Sequence, residues 1–239
     1  ALSIDEVAEL LDDERIAPSL RARTGGLPFF ASELARQARL TDIDASTVPD
    51  TIADWVSRRV HSLSAQERSL IQQASVIGHD VDLELLARCS ADDPNTTAPL
   101  IDVLVSCGLL TFDDHHALQF AHAITRDAIY ERVGAAERLR LHRHVADTIA
   151  THRDVDNTAH DSLLAYHYGR AGANAKPLAW THAMKAARES MRSGAWASAA
   201  GSYRHALGRA TNQRRRAQAM VGAGRAHLAE GTLDDARLL

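Results

Sequence analysis

Residues 109–120 read LLTFDDHHALQF. Two short apolar runs, Leu109 to Phe112 and Ala117 to Phe120, stand on either side of the polar stretch Asp113 to His116. Runs of this length around a polar turn predict a β-hairpin. Because the segment in front of it predicts three helices, the hairpin indicates a winged helix within a chain that is otherwise mainly all-α.

The segment before the hairpin carries local signals for helix starts and ends. Ser64-Ala65-Gln66-Glu67 is a capping box, in which the Ser and Glu side chains accept hydrogen bonds from backbone amides of the first turn. The core-facing residues of that helix are Leu70, Ile71, Ala74 and Ile77. Two more helices are predicted, from Asp82 to Cys89 and from Thr97 to Cys107, and Gly108 follows in the position of a C-cap glycine.

The first part of the chain is also helical in pattern. Two helices are predicted between Asp5 and Leu40, separated by Thr24-Gly25-Gly26-Leu27-Pro28, because Gly and Pro end one helix and start another. Thr47-Val48-Pro49-Asp50 predicts the start of a further helix with Thr47 as its N-cap. Its buried face is formed by Ile52, Val56 and Val60.

An internal repeat follows the helix predicted from Ile124 to Val133. Small residues recur at a distance of 37 positions, as Ala187, Gly194 and Ala199 and then as Gly224, Gly231 and Ala236. Small residues at fixed offsets let paired helices approach closely, which is typical of stacked helical hairpins. We therefore predict a helical solenoid of tetratricopeptide type from about residue 136.

The composition is that of a globular protein, with 239 residues, 45% of them hydrophobic, and a net charge of -4. No apolar run reaches the roughly 18 residues that a membrane helix needs, and the N-terminal residues lack the regions of a signal peptide. We expect a cytoplasmic protein without membrane contact. Cys89 and Cys107 lie in predicted helices, and we expect both to be buried and reduced.

The charge of the predicted winged helix argues against DNA binding. There is no Lys or Arg between Arg88 and Arg126, and the acidic residues of this segment are Asp92, Asp93, Asp102, Asp113 and Asp114. Because phosphate neutralisation by basic side chains supplies most non-specific DNA affinity, we expect no direct nucleic-acid binding by this part of the chain.

A resemblance to a known family is carried by four segments in this order and spacing: TGGLPFF at 24–30, VPDT at 48–51, SVIG at 75–78 and FAHAITRDAIY at 120–130. The chain resembles the STAND class of signalling ATPases, in particular the large LuxR-type ATP-dependent regulators similar to the maltose regulator. The resemblance implies the end of a nucleotide core and a helical lid at 1–62, a winged helix at 63–135 and tetratricopeptide-like repeats at 136–239.

The same resemblance implies that this chain is a piece of a larger regulator whose nucleotide core precedes it. A P-loop needs a Gly-rich loop ending in Lys and Ser or Thr, and Lys176 and Lys185 lie in no such context. We therefore expect no enzyme activity and no tight ATP or ADP binding by this chain alone. The parent would bind ATP or ADP with Mg and would be at most a slow ATPase.

Three residues are candidates to contact that nucleotide. The resemblance implies that Pro28, in the motif Gly26-Leu27-Pro28, packs beside the adenine, and that His122 contacts the β-phosphate of ADP. The alternatives are that Gly25 to Pro28 merely separate two helices and that His122 is a packed histidine at a helix start. An imidazole can donate a hydrogen bond to a phosphate oxygen, which gives His122 a plausible chemistry.

Other clusters carry weaker signals. The basic stretches at 138–144 and 214–216 are interpreted as solvated helix faces. His115-His116, or His142 with His144, would lack a third metal ligand, so these are interpreted as surface histidines. No nucleophile, base and orienter set is recognisable, and no catalytic residue is assigned.

Three functional hypotheses result. The first is a relay that couples a helical-repeat sensor, which receives an inducer or partner protein, to the upstream nucleotide core, with self-association of the parent. The second is a protein-interaction scaffold without a working nucleotide site. The third is the regulatory part of a larger signalling enzyme. A P-loop in the upstream sequence would separate the first from the second.

Overall fold

The computed structural model of the protein describes residues 3–11, 52–90, 94–152 and 159–231. These residues form helices and one two-stranded sheet, which confirms a mainly helical fold. In chain order the elements are α1 (Ile4–Leu11), α2 (Ile52–Ser62), α3 (Ala65–Ile77), α4 (Leu83–Ser90), α5 (Pro94–Ser106), β1 (Leu110–Phe112), β2 (Leu118–Phe120), α6 (Ala123–Arg132), α7 (Ala135–Thr151), α8 (Ala159–Arg170), α9 (Lys176–Arg192), α10 (Trp196–Leu207) and α11 (Gln213–Glu230).

The predicted capping box at the start of α3 is confirmed. The amide of Glu67 donates to Ser64 Oγ at 3.3 Å, and the amide of Ser64 donates to Glu67 Oε2 at 2.7 Å. Arg68, one residue into the helix from this box, donates to the backbone carbonyls of Val60 and Leu63 at 3.2 and 3.0 Å. The capping box and Arg68 therefore fix the angle between α2 and α3.

The hairpin is also present. β1 and β2 pair antiparallel with Leu110 opposite Phe120, and Asp113 Oδ1 accepts from the amides of His115 and Ala117 at 2.8 Å. The sequence did not predict a third pairing, in which Asp80 bridges to Gln119 on the other edge of β2. That bridge attaches the segment before α4 to the hairpin.

Helix boundaries differ from the predicted ones by a few residues. α5 begins at Pro94, three residues before the predicted start at Thr97, because a proline at the first helical position requires no amide hydrogen bond. Gly108, with φ of 71°, takes the left-handed conformation expected after the helix. The predicted helices and glycine turn between residues 12 and 51 lie outside the described residues.

Two hydrophobic clusters divide the first part of the fold. One surrounds α3, β1, β2 and α6, with Leu70, Ile71 and Phe120 fully buried. The second joins Val76 of α3 and Leu85 of α4 to the α7, α8 and α9 helices. The second cluster contains residues from both sides of the predicted domain boundary at residues 135 and 136, so α7 packs directly on α3 and α4. The boundary itself stays a prediction.

The helices from α7 to α11 form an array in which each packs against the next. The third hydrophobic cluster joins helices α8 to α11 of this array and consists mainly of alanines, with Met184 and Tyr203 as its large members. Gly194 and Gly231, 37 positions apart, have φ values of 77° and 86°, so the two repeat copies end their first helices in the same left-handed conformation. Ala236 of the second copy lies outside the described residues.

Two expectations from composition can be compared with the structure. Among the described residues, no helix combines the length and apolarity needed to cross a membrane. Both cysteines are free thiols. Cys89 is buried, whereas Cys107, directly after α5, is half-buried. The expectation that both cysteines are buried is therefore wrong for Cys107.

The close contact between Gly222 and Tyr203 gives a stability prediction. A Cβ at Gly222 would overlap the buried Tyr203 ring, whereas a Cβ at Gly224, on the same helix, meets no atom within 4 Å. We expect Gly222→Ala to lower the free energy of unfolding by about 1–3 kcal/mol. Gly224→Ala should raise it by about 0.5–1 kcal/mol, because alanine is the better helix former. Urea unfolding measures both, and equal effects of the two substitutions would contradict the packing of Tyr203 on α11.

Candidate functional site

The start of α6 is the place where the structure puts His122. This residue is the N-cap of α6, with extended backbone at φ -152° and ψ 144°, and its side chain does not cap the helix. Its carbonyl accepts from the amides of Thr125 and Arg126 at 3.0 and 3.3 Å, and its side chain is half-buried. The ring therefore lies at the surface end of α6 and is only partly covered by the core.

This helix start is suited to an anionic group. The first turn of α6 contains no acidic residue, and Ala123 and Ile124 are exposed. Backbone amides and the helix dipole favour negative charge at such a position, and an imidazole can donate one further hydrogen bond. Thr125, fully buried in the same turn, has a hydroxyl that finds no hydrogen-bond partner among the residues that the structure describes. These residues fit a phosphate group, while the predicted nucleotide contacts Gly26 and Pro28 lie outside the described residues.

Arg126 attaches α6 to the helix beneath it. Its Nε donates to the carbonyl oxygen of Ser75 in α3 at 2.8 Å, and its Nη1 pairs with Asp127 at 2.8 Å. Its guanidinium also lies over the ring of Tyr130, 4.8 Å from the centroid. Because Ser75 is buried and 51 residues away, this contact fixes the orientation of α6 on the first core.

The other end of α6 contacts the helical array through buried polar groups. Tyr130 Oη lies 2.9 Å from His142 Nε2, and His142 Nδ1 lies 2.9 Å from His167 Nδ1. His142 is only 1% exposed and His167 is fully buried. A short hydrogen-bonded chain therefore joins α6, α7 and α8.

Both histidines are held neutral. Burial lowers the pKa of His142 to about 4, assisted by the nearby positive charges of Arg170, Arg126 and Arg138. Burial likewise lowers the pKa of His167 to about 3, assisted by His142 and Arg170. Two neutral imidazoles that face each other through Nδ1 share one proton, so one ring donates and the other accepts. Within the described part of the chain, His167 Nε2 has no partner.

The interpretation of residues 138–144 as a solvated basic face is wrong for its histidines. His142 faces the core of the array, and His144 Nε2 bonds to the carbonyl oxygen of Cys89 at 2.7 Å. The arginines of this stretch do reach the surface, where Arg143 pairs with Asp147. Among the residues that the structure describes, no group of three or more His, Cys, Asp or Glu side chains is placed to hold a metal ion.

The sequence did not single out His167. Its neighbours Tyr166 and Tyr168 could have indicated that it is buried, since aromatic residues on both sides of a histidine within a helix are typical of a packed face. In the structure Tyr166 packs edge-on against both histidines, and Arg170 lies over the Tyr166 ring at 3.8 Å. Aromatic rings and guanidinium groups thus enclose the histidine pair from several sides.

A comparison of the chain with known proteins finds no matching protein-family model and no matching curated protein. The chemistry and geometry of the described residues therefore carry the functional argument.

The neutral histidine pair gives a pH prediction. The folded pKa values of about 4 and about 3 lie below the ordinary histidine pKa of 6.5, so the unfolded chain takes up protons first as the pH falls. The contribution of the neutral pair to the free energy of unfolding is fully present above pH 6.5. It is lost as the pH falls from 6.5 toward the pKa values of the folded state. We expect the free energy of unfolding to fall by up to about 4 kcal/mol between pH 7.5 and pH 5, about 2 kcal/mol for each histidine.

Urea unfolding across this pH range measures the effect. The double variant His142→Gln/His167→Gln should have a shallower pH dependence, whereas His115→Gln, in the exposed hairpin turn, should leave the slope unchanged. An identical slope in the double variant would show that the pair is not protonated on unfolding.

Proposed function

We propose that this chain is the relay part of an ATP- or ADP-switched bacterial transcriptional or signalling regulator of the STAND class, similar to LuxR-type regulators. In this proposal a winged helix and a tetratricopeptide-like array couple a sensor surface to a nucleotide-binding core. The observation that carries the proposal is the continuous contact path through α6, from His122 at its start to the histidine pair of the array at its end.

The arrangement of the first core supports the winged-helix assignment. Helices α3, α4 and α5 precede the β1–β2 hairpin, and Asp80 adds a third pairing on the free edge of β2. The repeated left-handed glycines Gly194 and Gly231 and the alanine-rich packing of α9, α10 and α11 support the tetratricopeptide-like assignment.

His122 is the residue that we propose to sense the nucleotide. A bound ADP would supply the negative charge of its β-phosphate. The α6 start would favour that charge through its free amides, and His122 would donate a hydrogen bond to it. Because Arg126 fixes α6 on Ser75, an anion held at His122 would restrain the whole first core rather than one loop.

The path at the other end of α6 would transmit the restraint. Tyr130 belongs to α6, while His142 and His167 belong to the first two helices of the array. A rotation of the array relative to α6 would break buried hydrogen bonds, which costs more than breaking exposed ones. The joint therefore favours two discrete arrangements over a continuous swing.

The hairpin does not favour a direct DNA contact. Asp113 and Asp114 lie in its turn, and Arg88, in α4, is paired with Glu84. Because no Lys or Arg lies between Arg88 and Arg126, the surface of the hairpin and of α5 offers little attraction to phosphates. In the proposed parent, DNA binding would belong to another part of the chain.

The other two hypotheses stay open. A scaffold without a working nucleotide site would use the array in the same way but would not need a phosphate-binding start of α6. A larger signalling enzyme would place a catalytic domain elsewhere in the parent. The suitability of the α6 start for an anion favours the relay over the scaffold.

The nucleotide retained by the parent protein tests the proposal. We expect purified parent to hold ADP and the His122→Ala variant to lose it about tenfold faster, because one hydrogen bond to a charged phosphate contributes about 1.5–3 kcal/mol. His115→Ala is the matched control, since this histidine is exposed in the hairpin turn, at the end of β2 that points away from α6. Nucleotide release is measured with a fluorescent ADP analogue. Equal retention by the wild type and His122→Ala would reject the proposed role of His122.

A further inference from the structure

A groove of about 530 Å³ lies between helices α9 and α11, on the helical array. Its floor is formed by the buried side chains of Met184 and Tyr203 and by Gly222, whose missing side chain lets the Tyr203 ring lie flat against α11. We propose that this groove binds an acidic segment of a partner protein, held by an apolar anchor on the floor and by arginines on the walls.

The walls of the groove are exposed and mixed in character. Val221 on α11 is 57% exposed although it is apolar, and Met191 on α9 is half-buried. Arg188 and Arg225 are exposed on opposite walls. An exposed apolar side chain above a buried thioether and phenol ring is a suitable seat for an apolar anchor, since thioethers adapt to irregular partners.

The charge around the groove determines which partner fits it. The segment between Glu189 and Glu230 contains no Asp or Glu, and its arginines are Arg192, Arg204, Arg209, Arg214, Arg215, Arg216 and Arg225. Within the described residues Arg192 is paired with Glu189, whereas Arg188 and Arg225 form no ion pair. Two guanidinium groups that line one groove, with no ion pair among the described residues, would attract carboxylates and bind them bidentately.

The dimensions suit a short peptide segment. The lining residues extend from Met184 to Met191 on α9 and from Ala217 to Arg225 on α11, which is about two helical turns or roughly 11 Å. An extended chain of that length has about three to four residues. The groove therefore takes one apolar anchor with acidic neighbours on both sides.

The floor favours a protein over a nucleic acid. Single-stranded nucleic acids bind through exposed aromatic platforms on which bases stack. Here the Tyr203 ring is only 7% exposed, and Trp180 is covered by Arg215, whose guanidinium lies 4.8 Å from the ring centroid. No exposed aromatic face lines this groove.

This inference rests on the proposed function only for what peptide binding would do, namely act on the relay through the array. Binding in the groove does not itself depend on the proposed function. The groove itself is tested on the chain without nucleotide. Failure of the groove would leave the ADP experiment untouched, and failure of the ADP experiment would leave the groove as a scaffold site.

The probe is a short fluorescein-labelled peptide in which a single Leu is flanked by acidic residues on both sides, and its binding is measured by fluorescence anisotropy. Arg188→Glu/Arg225→Glu is compared with Arg214→Glu/Arg216→Glu, which changes the net charge equally at two exposed arginines outside the groove. We expect the groove pair to weaken binding at least about tenfold and the control pair to change it less than about threefold.

A second matched pair tests the apolar anchor. Val221 and Leu228 are both on α11 and both 57% exposed, but only Val221 lines the groove. Val221→Asp should weaken peptide binding about tenfold and Leu228→Asp should leave it within about twofold, because a carboxylate in the groove repels the acidic probe. Circular dichroism checks that all variants stay helical.

Three results would overturn the proposal. The first is an absence of peptide binding by the wild type. The second is an equal loss in the two arginine pairs, which would show general charge attraction rather than a groove. The third is displacement of the peptide by a single-stranded oligonucleotide at lower concentration, which would identify the surface as a nucleic-acid interface.

Discussion

The position of helix α7 is the constraint on which the rest of the array depends. One side of α7 packs on α3 and α4 through Leu141, Val145 and their neighbours, and the other side packs on α8. Each later helix packs mainly on the helix before it, so an error in the placement of α7 would be passed on to α11. Because α7 is buried on two sides, both of its faces are mainly apolar. His142 is a buried polar residue on the face that packs on α8.

The cost of that buried polar group explains the surroundings of His142. A neutral imidazole in a core must be hydrogen-bonded, and Tyr130 and His167 supply a partner for each of its nitrogens. Apolar side chains would fill the same volume at no such cost, but they would not fix the direction of the contact. The hydrogen bonds hold α6, α7 and α8 in a defined arrangement, and in the proposed relay a change to a second arrangement would have to break them.

The features predicted correctly from the sequence are the local ones. The capping box at Ser64, the hairpin and the glycine after α5 depend on residues within a few positions of each other, and the structure has all of them. The histidine pair could not be predicted in this way, since His142 and His167 are 25 residues apart and the stretch around His142 is rich in arginine. Long-range packing decided which side of α7 was buried. The nucleotide contacts Gly26 and Pro28 stay predictions, and the structure adds to His122 only a suitable helix start.

The net charge of the chain conceals two surfaces of opposite character. Residues 190–229 contain seven arginines and no acidic residue, a charge of +7, so the remaining residues carry -11 if the whole chain is -4. Electrostatic attraction between exposed charges is screened over about 8 Å at physiological salt, which is shorter than an array of several helices. The arginines of the array and the acidic residues of the hairpin are therefore largely screened from each other, and each set acts on its own surroundings. The small net charge of the whole chain is a sum over these two surfaces, and it describes the charge of neither one.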